Sequence, residues 1–253
     1  QDGTLSVLEI SNGSGLGQLN VDGGVLTLTG SAAEVKELNV GLGAGSNGDL
    51  SLTGKTLTVN RLQIAVDGLG KLSLDGCTTN VTSELVVGDS DRGEMTQTGG
   101  SVAAGTLRVG FHGSSQGQYM INGGTLTVAS IVQLGGAGQG TITQTSGASV
   151  EVGGDVWIGA AASSRGRWNV GDGHLLVNGD IAVALVDDGA MTLGGGTVEV
   201  PTGTLSVYSA GSLSGYGLVD AEVASSGSLR ASAGELVINR DYTGSGTITV
   251  DSG

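Results

Sequence analysis

Two pairs of aspartates are the residues best placed for acid and base chemistry. Asp89 and Asp91 stand just before Arg92, and Asp187 is followed directly by Asp188. Two carboxylates beside a basic residue can act as general acid and base on a polysaccharide, or can hold calcium. The two pairs are four repeats apart, roughly 19 Å by strand spacing, so they cannot share one sugar ring. We therefore interpret them as solubilising turn acids and expect no catalytic residue and no enzymatic activity.

The histidines and the single cysteine carry no clear metal or redox signal. His112 falls in a corner loop and His174 begins a strand, and neither is followed by a second ligand at a paired spacing. We expect surface histidines, with no metal site and no cofactor. Cys77 cannot form an internal disulfide and is expected to be a small buried residue.

A repeat runs through the chain and must position all of these side chains. In each repeat a glycine is followed by apolar residues two and four positions later, with few exceptions, at intervals of 31, 22, 23, 24, 23, 26 and 23 residues. Such a period predicts a stacked parallel β-solenoid. The glycines are Gly17, Gly48, Gly70, Gly93, Gly117, Gly140, Gly166 and Gly189.

Each repeat contains three short alternating segments, which we name strand one, strand two and strand three. Strand three has the most regular inward pairs, from Leu38 and Val40 in an early coil to Leu205 and Val207 in a late one. The pattern predicts an all-β parallel β-helix of about nine right-handed coils. We expect one domain over residues 1–253, with a partial coil at 1–16, regular coils at 17–215 and less regular coils at 216–253.

Two places depart from the repeat. The interval of 31 after Gly17 indicates an insertion, which we interpret as a short helical turn over residues 32–36. In the third coil, Cys77 to Asn80 put polar residues where apolar ones are expected, which predicts a bulge or a shifted register.

Thr27, Thr58 and Thr79 are interpreted as a row of outward threonines, the pattern of an ice-binding face. This row is not continued toward the C-terminus, so it gives little support to ice binding.

Composition excludes several classes of function. The chain has 50 glycines, 3% aromatic residues and a net charge of −14, which fits a thin solenoid filled by aliphatic side chains. Its ten basic residues are scattered, so binding to nucleic acid or to an anionic membrane surface is not expected. No stretch approaches the ~20 apolar residues of a membrane span, so membrane insertion is not expected either.

The chain from Gly203 onward resembles a known family. The segments Gly211 to Gly215, Gly227 to Leu229 and Gly234 to Asn239, together with GGTLTV words such as Gly123 to Val128, are similar to repeats of autotransporter passenger domains and autotransporter-associated β-strand repeat proteins. This resemblance implies a secreted or surface-exposed bacterial β-solenoid. The motifs are specific for architecture and say little about activity.

One outward row could bind a partner. Trp157 lies between the inward residues Val156 and Ile158, so alternation turns its indole outward, one coil from Gln133 and two from Arg108. These three residues could bind a surface glycan or a neighbouring subunit. The alternative is that the loop at residues 160–164 covers the indole.

Both ends of the chain have the pattern of a strand. Leu5 and Val7, in a segment similar to strand three, and Ile248 and Val250 near the C-terminus are the expected contacts of a head-to-tail assembly. We therefore predict an extracellular or cell-surface structural protein that forms a stalk or filament from copies of itself. A glycan-binding adhesin and a polysaccharide-active enzyme are the alternatives.

Overall fold

The protein is a parallel β-solenoid of about ten turns. The structure, a computed structural model, describes residues 4–7, 10–11, 17–23, 25–28, 32–145 and 147–251, and side chains within 17–23, 34–145 and 147–251. In this part of the chain all regular structure is strand, and the 25 strands form one continuous sheet. The all-β solenoid class is confirmed, whereas the right hand of the coil stays a prediction.

The strands are short except where two or three merge around a corner. In chain order they are β1 (Thr4–Val7), β2 (Ile10–Ser11), β3 (Gln18–Val21), β4 (Val25–Leu28), β5 (Ala32–Val40), β6 (Asn47–Thr53), β7 (Thr56–Ile64), β8 (Leu69–Asp75), β9 (Thr78–Val87), β10 (Arg92–Thr98), β11 (Ser101–Val109), β12 (Gln116–Asn122), β13 (Thr125–Val128), β14 (Val132–Leu134), β15 (Gln139–Thr145), β16 (Ser149–Val152), β17 (Val156–Ile158), β18 (Arg165–Val170), β19 (His174–Val177), β20 (Ile181–Val183), β21 (Asp188–Val207), β22 (Gly211–Ser225), β23 (Ser228–Ile238), β24 (Tyr242–Gly244) and β25 (Thr247–Val250).

Each strand pairs in parallel with the equivalent strand of the next coil. In the column of strand three, Leu107 pairs with Val132, and Val132 pairs with Val156. Because side chains alternate between faces, this register places inward residue on inward residue along the whole solenoid. The core is therefore built of stacked columns of apolar side chains.

Strand three forms the most completely buried columns. Its inward residues between Leu38 and Val207 are at most 1% exposed. Burial of each such Leu, Ile or Val contributes about 1.5–3 kcal/mol. The pairs are Leu38 and Val40, Leu62 and Ile64, Leu85 and Val87, Leu107 and Val109, Val132 and Leu134, Val156 and Ile158, Ile181 and Val183, and Leu205 and Val207.

The repeated glycines allow close approach of backbones at one corner. A Cβ atom on Gly140 would overlap the backbone oxygen of Val109 on the preceding coil and approach the backbone nitrogen of Gly135. Gly140 has no positive φ, so lack of space, not backbone conformation, requires glycine there. This explains why the repeat can be recognised by its glycines.

The first coils have a different phase from the one that the glycines predict. Leu19, in β3, pairs with Leu38 of strand three, so the segment after Gly17 belongs to strand three and not to strand one. Strand one of that region is β4, in which Val25 pairs with Asp49, 24 residues later. Without Gly17 the unusual interval of 31 disappears. The glycine pattern assigned this segment to the wrong strand because apolar residues alternate in the same way in all three strands of a coil.

The N-terminal strand is also reassigned. Leu5, in β1, pairs with Leu26, which pairs with Leu50 of strand one. The predicted similarity of this segment to strand three is therefore wrong. The side chains of Leu5 and Val7 lie outside the described residues.

Two local predictions need correction. Thr79 is 1% exposed and pairs with the inward residues Leu57 and Val102, so it points inward and the register holds at that point. The irregularity lies further on, where Val59 pairs with Val81 but Arg61 with Glu84, which leaves one extra residue in β9. Residues 32–36 form the start of β5 and not a helical turn, because residues 32–35 pair in parallel with β7.

The solenoid tapers toward its C-terminal coils. Ile142 pairs with Trp168, 26 residues later, whereas Leu213 pairs with Leu229, 16 residues later. Smaller residues fill the shortened coils, since Leu193 pairs with Gly215 and Gly215 with Ala231. The last coils therefore enclose less apolar core than the middle ones.

Candidate functional site

The outward row of strand three has the order that alternation predicts. Arg108 pairs with Gln133, and Gln133 pairs with Trp157, so the three residues lie on consecutive coils about 4.8 Å apart. Their side chains are half-buried, between buried inward neighbours on each strand. The structure thus brings the three residues together, and their role in binding stays a prediction.

The N-terminal part of this row is closed. Asn39, Gln63 and Val86 face outward but are only 1%, 8% and 0% exposed. The Nδ2 atom of Asn39 donates to the Oδ1 atom of Asn20 over 3.0 Å, and the amide of Gln63 donates to Asp89 over 3.4 Å. Because Asn39, Gln63 and Val86 are all buried, they leave little surface for a ligand.

Arg108 is held by two neighbours. Its guanidinium lies 4.3 Å from the ring centroid of Phe111, and its Nη1 atom lies 3.1 Å from Oε1 of Glu84. Glu84 also binds Arg61, with 2.9 Å between Oε2 and Nη2. The charge of Arg108 is therefore offset, and its planar face is already stacked on an aromatic ring.

The candidate acids are engaged in local contacts. Oδ1 of Asp91 accepts a hydrogen bond from the backbone nitrogen of Arg92 over 2.7 Å, and Oδ2 of Asp187 accepts one from that of Ser163 over 2.7 Å. Hydrogen bonds from Arg167 and Arg165 hold the pKa of Asp188 below its ordinary value. Asp187 and Asp188 thus bind the preceding coil, whereas Asp91 binds only the residue that follows it.

Each histidine is paired with an acid on a neighbouring coil. Nδ1 of His112 lies 2.9 Å from Oδ1 of Asp89, and Nε2 of His174 lies 3.2 Å from Oε2 of Glu199. Both histidines keep a large exposed surface, as predicted, but their acidic partners were not foreseen. Among the described residues, no three His, Cys, Asp or Glu side chains come together as a metal site requires. Cys77 is a buried residue, 2% exposed, as predicted.

A shallow open trough lies farther along the same row. Its floor is formed by Ser206, Ala224 and Thr243, which pair with one another on consecutive coils. The side chain of Tyr208, 42% exposed, lines it as well, and we call it the Tyr208 trough. It has a volume of about 260 Å³, and its other lining residues are Val207, Ser225, Ser226, Gly244 and Ser245.

The last described strand exposes an apolar surface. Leu229 pairs with Ile248 and Ala231 with Val250, so both residues of β25 continue inward columns of strand one. Even so, Ile248 is 60% exposed and Val250 is 76% exposed. In the described part of the chain these are among the largest exposures of any apolar side chain.

Comparison of the chain with known protein families, curated proteins and solved structures found no match. The resemblance to autotransporter passengers therefore stays a prediction, and the solenoid architecture stands on the structure alone. Nowhere in the described residues is there a helix of the length and apolarity needed to cross a membrane.

Proposed function

We propose that this chain is a non-enzymatic structural β-solenoid of the cell surface or extracellular space, and that its copies stack end to end. The observation that carries the proposal is the exposure of Ile248 and Val250 at inward positions. In a solenoid the next coil covers such side chains and also pairs with the edge of the strand. A coil of a second copy would do both.

The register of the terminal strands supports this stacking. β1 reads Thr-Leu-Ser-Val, β25 reads Thr-Ile-Thr-Val, and both occupy the column of strand one. Parallel pairing of β1 on β25 would set Leu5 opposite Ile248 and Val7 opposite Val250, as in successive coils within one chain. Because the end of the solenoid formed by β1 differs from the end formed by β25, the contact between copies is heterologous. Such a contact does not close on itself and extends into a filament.

Two further observations support a structural role outside the cell. Asp187 and Asp188 bind residues of the preceding coil, and Asp91 accepts a hydrogen bond from the next residue, which favours structure over acid and base catalysis. The resemblance of the C-terminal repeats to autotransporter passengers favours secretion or surface display.

The stacking is tested by light scattering of the purified chain over a range of concentrations. We expect particle mass to rise with concentration, and we expect the double variant Ile248→Lys and Val250→Lys to remain monomeric because stacking would bury two unpaired charges against an apolar coil. Met120→Lys is the matched control, since Met120 is 45% exposed on the outer face of strand one, far from β25. This variant should assemble like the wild type.

A wild-type chain that stays monomeric at every concentration, or a double variant that assembles as well as the control, would contradict the stacking. Deletion of residues 1–8 tests the other surface, because the truncated chain should be unable to elongate. The thermal midpoint of each variant shows whether it is folded.

A further inference from the structure

The Tyr208 trough is a gap in an otherwise filled row. At Arg108, Gln133 and Trp157 the outward positions of strand three carry long side chains, whereas Ala182, Ser206 and Ala224 follow on the next three coils. This decrease in side-chain size leaves a volume of about 260 Å³ open to solvent. Pockets for drug-sized ligands measure about 300–1,000 Å³, so the trough suits a ligand of one or two rings.

The lining of the trough has a narrow chemistry. Five of the residues that line it are serines or threonines with hydroxyl groups, and Tyr208 adds an aromatic ring; the five are Ser206, Ser225, Ser226, Thr243 and Ser245. None is charged, although the chain has 24 acidic residues. A phosphate or a carboxylate ligand would find no cation there, and a metal ion would find no carboxylate.

A sugar ring matches this lining. Serine and threonine hydroxyls both donate and accept hydrogen bonds, as sugar hydroxyls require. Tyr208 is 42% exposed, so its ring can offer an apolar surface on which the C–H groups of a sugar pack, and its hydroxyl can form a hydrogen bond. An uncharged saccharide is thus the class of ligand that uses every part of the trough.

Trp157 extends the surface along the solenoid axis. It pairs with Ala182, which pairs with Ser206 in the floor of the trough, so Trp157 lies two coils or roughly 10 Å from Ser206. Ala182 is itself only 8% exposed, and its methyl group is too short to separate Trp157 from Ser206. A saccharide chain that lies along the axis can therefore contact Tyr208 at one end and Trp157 at the other, with Gln133 beyond.

From these observations we infer that the strand-three face binds a linear neutral polysaccharide, with Tyr208 and Trp157 as two aromatic contacts joined by the small residues between them. The inference is independent of end-to-end stacking, because the face runs along the side of the solenoid. It assigns to Tyr208 a role that the predicted set of Arg108, Gln133 and Trp157 did not include.

Affinity electrophoresis tests the inference with four soluble neutral polysaccharides, namely dextran, β-1,3-glucan, galactomannan and xyloglucan, and with polygalacturonate as the acidic comparison. We expect at least one neutral polymer to retard the wild-type chain more than polygalacturonate does. Tyr208→Ala should weaken that binding at least about tenfold, as removal of a central aromatic contact does. Tyr216→Ala is the matched control, because Tyr216 is 39% exposed and does not line the trough.

A second variant fills the trough without touching the core. Ala224 faces outward between the inward residues Val223 and Ser225, so Ala224→Leu should block the floor and leave the thermal midpoint unchanged. The fluorescence of Trp157 gives a direct readout, because the other tryptophan, Trp168, is 0% exposed and inaccessible to a quencher. The retarding polysaccharide should protect Trp157 from acrylamide.

Three results would overturn the inference. The first is that none of the four neutral polysaccharides retards the wild type. The second is that Tyr208→Ala and Ala224→Leu bind as well as the wild type and Tyr216→Ala. The third is that bound polysaccharide leaves the quenching of Trp157 unchanged.

Discussion

The hydroxyl group of Tyr119 donates a hydrogen bond to Oε1 of Gln97 on the preceding coil, over 2.6 Å, inside the apolar core. Nε2 of Gln97 in turn donates to the backbone oxygen of Thr125 over 3.0 Å. Burial raises the pKa of Tyr119 above its ordinary value, so the hydroxyl keeps its proton at neutral pH. These two buried hydrogen bonds fix the position of one coil on the next. They take the place of apolar contacts in this part of the core.

Removal of this hydroxyl should destabilise the fold. Tyr119→Phe leaves Oε1 of Gln97 buried without a donor, and we expect the free energy of unfolding to fall by about 1–3 kcal/mol. Urea unfolding measures the change. Tyr208→Phe, which removes an exposed hydroxyl, is the control and should stay within about 0.5 kcal/mol of the wild type. Equal stabilities of the two variants would show that Gln97 finds another partner.

A charge in a core column should be far more harmful than a change on the outer face. Val109 is 0% exposed, and Val109→Asp buries a carboxylate at a cost of several kcal/mol. Thr143 lies on the outer face, where its Oγ1 atom accepts a hydrogen bond from Asn169 over 3.4 Å, and Thr143→Ala should change little. The thermal midpoint distinguishes them, and a shared midpoint would refute the assignment of inward and outward faces.

The repeated glycines should not tolerate even a methyl group. Gly140→Ala places Cβ against the backbone oxygen of Val109, and we expect a loss of about 1–3 kcal/mol or more, as in overpacked cores. Gly113 offers a matched control, because it has open space around the position of Cβ and no positive φ. Chemical unfolding of Gly113→Ala should therefore give a value within about 0.5 kcal/mol of the wild type.

The ion pairs of Asp188 should make stability depend on pH in the acidic range. Because the pKa of Asp188 is lower in the folded state than its ordinary value, the unfolded chain binds more protons there. The contribution is present above about pH 4 and is lost as the pH falls through the folded pKa. It should be below about 1 kcal/mol, since the pair with Arg167 is partly exposed.

Asp188→Asn should remove that part of the pH dependence and leave the rest of the profile intact. Thermal midpoints of the variant and the wild type between about pH 2 and pH 7 measure the difference. Curves that remain parallel over the whole range would show that Asp188 contributes nothing through ionisation.

Much of the core could be predicted from alternation alone. Val132 and Leu134 or Val156 and Ile158 are inward because a two-residue period leaves one buried face, and the structure confirms this throughout strand three. The phase of the first coils could not be predicted in this way. Leu19 fits any of the three columns, and only its pairing with Leu38 decides the column.

The outer face shows a similar limit. Alternation places Trp157 outward, but it cannot tell that Gln63 is covered and hydrogen-bonded to Asp89, because that contact is made by a corner loop of the next coil. Tyr208 follows the last inward residue of strand three, so the repeat gives no reason to single it out. The sequence did contain one signal for the trough. When the coils are aligned, the outward side chains of strand three become smaller from Trp157 to Ala182 and Ser206.

The taper has a consequence for how the solenoid responds to force. Two consecutive coils that meet at Gly215 and Ala231, with Leu236 only partly buried, have fewer apolar contacts to lose than two that meet at Ile142 and Trp168. Since each coil contacts only its neighbours, unfolding can proceed one coil at a time from the weakest region. Pulled along its axis, the isolated chain should therefore peel from the tapered end, with successive coils yielding at rising force and the broad middle opening last.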